Sequence, residues 1–440
     1  MIKNSDRRVY KQLLMSSLYL LENSHKHFRF FLLMPAAWHL RSMEPLLPKA
    51  REARLSELTC EVLKAAGRLT GQVHSRVVLD RLADLVREMN CYYSNLIEGH
   101  KTAPREIERA LKRDFTGDEA QRDNQELSLA HIAVERIMEE RLAAEPVDVY
   151  APEFVCWLHR EFYSRLPDRL HWAKTTGGRP YRVEPGRLRN FMVDVGRHTP
   201  PHFEALPEFM DRFHAFYGGT QILETTRLVA VAAAHHRLAW IHPFGDGNGR
   251  VVRLHSQALL IRHGLGGNGL WTLSRGLARR RQRYFACLAA ADRGRQGDLD
   301  GRGALSDAAL AGFCEFFLET VLDQIQFMSG LLDLPSLRTR VERYFQFQAL
   351  HLQRYREELM RIVRALVDEG EIPRARVQVI TGKGATVSAE IIKRGLAEGV
   401  FESPSPKGPL RPAFPAAVQE FYFPQLFLDL PVEPDSESAS

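Results

Sequence analysis

Cysteine is scarce in this chain of 440 residues. There are five, Cys60, Cys91, Cys156, Cys287 and Cys314, and no two of them form a CxxC pair. An odd, scattered set without metal-ligand spacing argues against a disulfide framework or a structural zinc site and fits reduced thiols in a cytoplasm. Membrane-length apolar runs are missing too. The stretch FRFFLLMPAAW near the start is too short to span a bilayer. Glu22, Lys26 and Arg29 stand between it and the basic opening residues, which a secretory signal does not allow. Extreme charge is also absent: the net charge is +6, which suits phosphate-bearing ligands but is no nucleic-acid signature by itself. These absences leave a soluble, non-membrane, cytoplasmic protein long enough for two or three domains.

What is present centres on Ala232 to Arg253, AAAHHRLAWIHPFGDGNGRVVR. Its front half, from about Thr225 to Ile241, is Ala-rich and free of Gly and Pro, as a helix buried on most faces would be. Pro243 ends that helix by restricting the residue before it, and a second helix is expected from near Asn248 toward His263. His242 therefore closes one helix and faces the positive end of the next. The first turn of a helix offers unpaired N–H groups, so Gly247, Asn248 and Gly249 can form an anion cradle. Arg250 and Arg253 lie three apart on one face and can reach one ligand. Asp246 is the hard carboxylate type that holds magnesium beside phosphate oxygens, and His242 can accept a proton from an attacking hydroxyl. Together they suit transfer of a phosphate ester.

His242-Pro-Phe-Gly-Asp-Gly-Asn-Gly-Arg250 with Arg253 resembles the HPFx(D/E)GNGRxxR signature of the Fic family, and looser similarity runs from about Glu44 to Leu334. The resemblance implies an all-α, Fic-type helical domain with a small β-hairpin flap. It also implies transfer of AMP from ATP, with Mg2+, to a Ser, Thr or Tyr hydroxyl of a target protein. Phe244 would anchor the loop in the core, and Tyr284, of the pair Tyr284-Phe285, would line the adenine. The related Doc branch carries Lys where this chain has Gly249, so Gly249 favours nucleotidyl transfer.

Read in order, residues 1–42 are an extension or an uncertain start, and 43–335 the catalytic domain. A helix over about 82–98 stops at Gly99. Ser94 and Glu98 share a face of its last turn, where a carboxylate opposes the macrodipole. Ser94-Asn-Leu-Ile-Glu98-Gly99 resembles the (S/T)xxxE(G/N) inhibitory motif of Fic proteins, which implies that Glu98 restrains the enzyme. Leu188 to Val195 alternates partly and is expected as a short strand of the flap. Gly264-Leu-Gly-Gly-Asn-Gly269 matches GxGxxG but follows a helix and is expected as a helix stop. His235 and His236, adjacent on a helix, point apart and are expected to pack or cap.

After Gly303 two amphipathic helices are expected, to about Leu332. A connector helix at 336–360 then leads to a winged helix-turn-helix at 361–416 and a tail at 417–440 whose acidic end lacks order. Lys383, Lys393, Arg394, Lys407 and Arg411 bring positive charge to this unit, whereas Glu390, Glu398 and Glu402 offset it. DNA and a protein partner, including a homodimer, both stay open for it. The expected activity is protein adenylyltransfer. The alternatives are a DNA-binding regulator whose Fic domain senses nucleotide or modifies itself, and an enzyme acting mainly to remove AMP.

Overall fold

The computed structural model describes residues 39–431 apart from 74, 176, 177, 220 and 353. The expectations for residues 1–38 and for the acidic end beyond 431 lie outside the described residues. In chain order come α1 (Glu52–Thr70), α2 (Arg76–Ile97), α3 (Pro104–Leu111), α4 (Glu119–Ala144) and α5 (Pro152–Tyr163). A hairpin of β1 (Trp172–Lys174) and β2 (Pro180–Arg182) precedes α6 (Leu206–Tyr217), α7 (Arg227–Ile241) and α8 (Asn248–Arg262). Then follow α9 (Leu273–Arg279), α10 (Arg281–Ala291), α11 (Asp307–Leu331) and α12 (Leu334–Phe347). The chain continues through α13 (Arg356–Glu369), α14 (Arg376–Thr381), α15 (Ala385–Ala397), an antiparallel pair β3 (Phe401–Glu402) and β4 (Arg411–Pro412), and α16 (Ala416–Tyr422). The fold is all-α with small hairpins, as expected.

Helix α7 is the axis. Ala230, Ala232, Ala233 and Ala234 are fully buried, and side chains this small let α8, α11 and α6 approach its backbone closely. Helix α2 buries Val78, Leu82, Val86 and Met89, the spacing of one helical face. From Asn90 to Ile97 it is buried on every side, packed against α4 and α9. It ends at Gly99, whose φ of 83° a residue with a Cβ adopts rarely.

Three details differ from the sequence expectations. Leu188 to Val195 is not a strand; the N–H of Arg189 turns to the carbonyl of Pro243 instead of a neighbouring strand, and the hairpin lies earlier, with Trp172 opposite Arg182. The region after Gly303 is one long helix, α11, and not two. The connector is broken between α12 and α13, where Tyr355 takes a left-handed φ of 69°. The head of α16 is tied to α3, where the N–H of Ala416 bonds Glu108 Oε2 at 2.9 Å. Beyond α16 the chain lies on α2. Tyr92 donates to the carbonyl of Leu428 at 2.8 Å and Tyr93 to that of Leu426 at 3.1 Å.

His131 of α4 is fully buried and neither ring nitrogen has a hydrogen-bond partner. The Glu135 carboxylate is 3.7 Å away, outside hydrogen-bond range. Burial, then Arg253 and Arg250, push the ring down to about 3. The folded state thus refuses a proton that the unfolded chain accepts below about pH 6.5, so this contribution to stability is lost as pH falls toward 3. His131→Leu should therefore stabilise the fold by about 1 kcal/mol at pH 7, with a gap that widens toward pH 5. Thermal unfolding of both proteins at the two pH values checks this. A lower midpoint for the variant at both would show that His131 has a stabilising partner.

Candidate active site

Helix α7 ends at His242, whose N–H still bonds Leu238 at 3.2 Å while its own backbone turns left-handed, φ 49° and ψ 62°. The turn is sharp because Pro243 cannot continue the helix. Phe244 then dives into the core with no exposed surface, and its ring stacks on His159 at 4.0 Å between centroids. Asn248 closes the loop with two reciprocal bonds, accepting from the Phe244 N–H and donating to the Phe244 carbonyl, each at 2.9 Å. Gly247, with φ of 76°, caps α8. The first-turn N–H groups of α8 point into the space before the loop, since no carbonyl precedes them to accept.

The flanking groups converge on that space. Arg250 is buried, donates through Nε to Asn95 Oδ1 at 3.1 Å and lies over the ring of Phe162. Its Nη2 is buried without a partner, which leaves a charged donor available. Arg253 is buried as well: Nε donates to Ser94 Oγ at 3.0 Å, and Nη2 to the Ser94 carbonyl at 3.0 Å and Glu98 Oε1 at 2.7 Å. A Cβ on Gly249 would collide with that same Glu98 oxygen. The carboxylate therefore rests against the first turn of α8. Burial opposes charge on Glu98, but Arg253 and Arg250 outweigh it and hold its pKa below the usual carboxylate value.

Asp246 is exposed at the loop tip, and its Oδ2 accepts the Tyr163 hydroxyl at 2.7 Å. His159 fixes the same residue through the Asp246 carbonyl, at 3.2 Å from Nε2, and accepts the Gly186 N–H on Nδ1 at 2.8 Å. Those two bonds set its tautomer, with the proton on Nε2. The His242 ring faces the backbone carbonyl of Ala239, which favours its protonated form. Burial first, then Arg189 and His198, push it down to about 3 against the pull of Asp246. At neutral pH the ring is therefore neutral, with a free lone pair.

The structure thus brings together His242, Phe244, Asp246, Gly247, Asn248, Gly249, Arg250, Arg253, Ser94 and Glu98. Tyr284 is buried, and its hydroxyl engages His235 Nε2 at 2.8 Å. His235 Nδ1 meets Ser256 Oγ at 2.7 Å, while His236 Nε2 meets the Leu288 carbonyl at 3.1 Å. Gly264 follows α8 directly, at the place of a helix stop. Sequence reasoning missed Asn95, His159, Tyr163, Tyr181 and Arg189. Only Asn95 had a local signal, because it adjoins Ser94 and lies three residues before Glu98.

The sequence model of the Fic/DOC family matches residues 149–260, from just before α5 through the loop and nearly all of α8. This segment is a Fic/DOC family domain. The domain is similar to proteins named Protein adenylyltransferase Fic. That of Culex quinquefasciatus is 36% identical over 107 residues, 24% of this chain and 21% of the relative. That of Nematostella vectensis is 38% identical over 101 residues, 22% of this chain and 23% of the relative. The chain spans about a fifth of the length of the curated relatives it matches. Among solved structures, a Fic family protein from Desulfovibrio desulfuricans superposes with a TM-score of 0.49 at 18% identity, covering 83% of this chain and 98% of that one. Fic-1 from C. elegans gives 0.47 at 18% identity, covering 63% and 72%.

The Phe244 anchor yields a direct test. Phe244→Ala should cost about 3–5 kcal/mol of stability, as large-to-small changes at fully buried aromatic sites do, and should free the loop to proteolysis between Pro243 and Gly247. Denaturant midpoints and limited proteolysis measure both. A loss under about 1 kcal/mol with the loop still protected would show that the loop is held by Asn248 alone.

Proposed function

We propose that this protein is an adenylyltransferase that moves AMP from ATP to a hydroxyl of another protein and is restrained by Glu98. The observation that carries the reading is the placement of the Glu98 carboxylate. It lies against Gly249 and on Arg253, where a helix N-terminus and two buried arginines suit a triphosphate. The names of the curated relatives support AMP as the group transferred.

In this reading Gly247, Asn248 and Gly249 bind phosphate oxygens through their N–H groups, and Arg250 adds the unpartnered Nη2. His242 takes the proton of the target hydroxyl as its oxygen bonds the α-phosphorus and pyrophosphate leaves. Phosphate charge brought beside the ring raises its basicity, toward the range a general base needs. Asp246 fits a magnesium site, because one oxygen is tied to Tyr163 and the other is free. Among the described residues no cluster of three or more acidic, His or Cys side chains could hold a metal alone. Phosphate and water oxygens would have to complete the shell, as magnesium prefers. Bound there, the ion would neutralise phosphate charge as a Lewis acid.

Tyr284, held by His235, borders Arg253 and is read as part of the nucleotide pocket wall. The C-terminal unit is read as a winged helix: α13 to α15 carry Leu359, Ile362, Val377 and Ile391 into a shared core, and the Ile372–Leu410 bridge extends the β3–β4 hairpin. Its cations are largely taken by its own groups. Lys383 pairs with Glu358, Arg394 with Glu398, and Arg411 with Glu371, which favours protein docking over duplex binding.

Glu98→Gly should raise AMP transfer by on the order of 10-fold or more, since it removes the competitor for the γ-phosphate position. Adding Arg253→Ala should cancel the gain, and His242→Ala should cut transfer by about 100-fold with ATP affinity nearly intact. Labelled-ATP transfer in cell lysate and ATP titration give these quantities. A folded Glu98→Gly protein that binds ATP yet is no faster would make Ser94 to Gly99 merely a helix end.

A further inference from the structure

Arg189 is buried, 4% exposed, and no described carboxylate acts on its guanidinium. All its donors go to main-chain carbonyls instead. Nε donates to His242 at 2.9 Å, Nη1 to Phe191 at 2.9 Å and Nη2 to Pro201 at 2.5 Å, while its backbone N–H donates to Pro243 at 2.9 Å. Two of the four acceptors are consecutive and flank the sharp turn out of α7.

That turn is where His242 is strained. A side chain with a Cβ is disfavoured in the left-handed region and persists there only when its surroundings over-determine it. The Leu238 carbonyl holds the peptide before the Cα of His242, and Arg189 holds the one after it. With both flanking planes fixed, the Cα–Cβ bond that carries the imidazole is fixed in direction. The other arm of the fork reaches Phe191, whose ring packs on Tyr181 at 4.4 Å, and the Tyr181 hydroxyl bonds the carbonyl of Gly245. The contacts close a ring around the loop, with the guanidinium as its hub.

We propose that Arg189 is a positioning residue for His242, its planar fork fixing the peptide that aims the imidazole across the mouth of the loop. This rests on reading His242 as the general base. The geometry needs the fork: three nitrogens point at three separate carbonyls, whereas the single nitrogen of lysine cannot reach all three. The charge acts beside it. Arg189 and His198 face His242 and disfavour its protonation, and Asp246 opposes them.

Two variants separate geometry from charge. Arg189→Lys keeps the charge and loses the fork; Arg189→Gln loses both. Folding of each is checked by circular dichroism, and the His242 ring is followed by carbon–proton NMR of the full chain as pH is lowered. In both, kcat should fall by about 10- to 100-fold while KM for ATP changes by less than about 3-fold. The His242 signal should shift in both, but its titration midpoint should rise, by on the order of one pH unit, only in Arg189→Gln. A folded Arg189→Lys protein with wild-type kcat would overturn the proposal. So would a His242 signal and midpoint unchanged in both variants, which would make Arg189 a scaffold residue. The NMR arm needs no turnover, so it decides the role of Arg189 even if AMP transfer is never detected. Should the variants not fold, the Arg189 Nε proton of the unaltered protein should exchange slowly with solvent. Fast exchange there would also overturn the proposal.

Discussion

A loop that binds phosphate through its backbone must leave its N–H groups unpaired, yet it cannot be allowed to move. The stretch from Pro243 to Gly247 meets both demands mainly through side chains. Phe244 drives the middle of the loop into a fully buried slot against His159, and Asn248 folds back to satisfy the N–H and carbonyl of that same residue. The backbone polar groups taken into the core are paired, and those of the next turn are left facing outward. Everything else about the site follows from where this loop is pinned: the aim of His242, the exposure of Asp246 and the approach of the two arginines.

Three buried guanidinium groups surround the loop, each stabilised differently. Arg189 is solvated by carbonyls, Arg253 is neutralised by Glu98 and bonded to Ser94, and Arg250 keeps one nitrogen without a partner. Desolvated cations are costly unless something answers them. The three therefore differ in what answers them: Arg189 is saturated by carbonyls, Arg253 is paired with a carboxylate, and Arg250 is incomplete. Histidines packed nearby, His131 among them, stay neutral under the same positive potential.

The core of the site was legible because it is contiguous. His242 to Arg253 spans a helix end, a turn and a helix start, and each step has a local cause in Pro243, Gly247 or Asn248. Glu98 was legible for a different reason, as a carboxylate at a helix end where the dipole disfavours it. Arg189, His159 and Tyr163 were not, because their partners in the loop lie dozens of residues away and nothing in their own neighbourhoods marks them. Leu188 to Val195 read as a strand because Phe191, Val193 and Val195 alternate with Met192 and Asp194, and in the structure Arg189 and Phe191 do turn toward one neighbour. What they meet is the loop and not a sheet. At the C-terminal side, Tyr355 breaks a connector whose composition is otherwise helical, and the residues after Tyr422 gain their order from aromatic partners on α2 that their own composition does not announce.

Helix α2 belongs to two assemblies at once. Its last turn carries Ser94 and Glu98 to Arg253, and the turn before it presents Tyr93 to Leu426 and Tyr92 to Leu428, with Phe427 edge-on to Tyr92 at 5.6 Å. Near its start, Ser75 bonds the carbonyl of Glu369 and Arg81 pairs with Glu402. A helix end bracketed in this way cannot fray alone. To draw Glu98 away from Arg253 by unwinding, the chain would also have to peel its own C-terminal residues off two tyrosines. The opening free energy of that carboxylate is thus a property of two segments more than 300 residues apart, and a cut after residue 335 would change it without touching the loop.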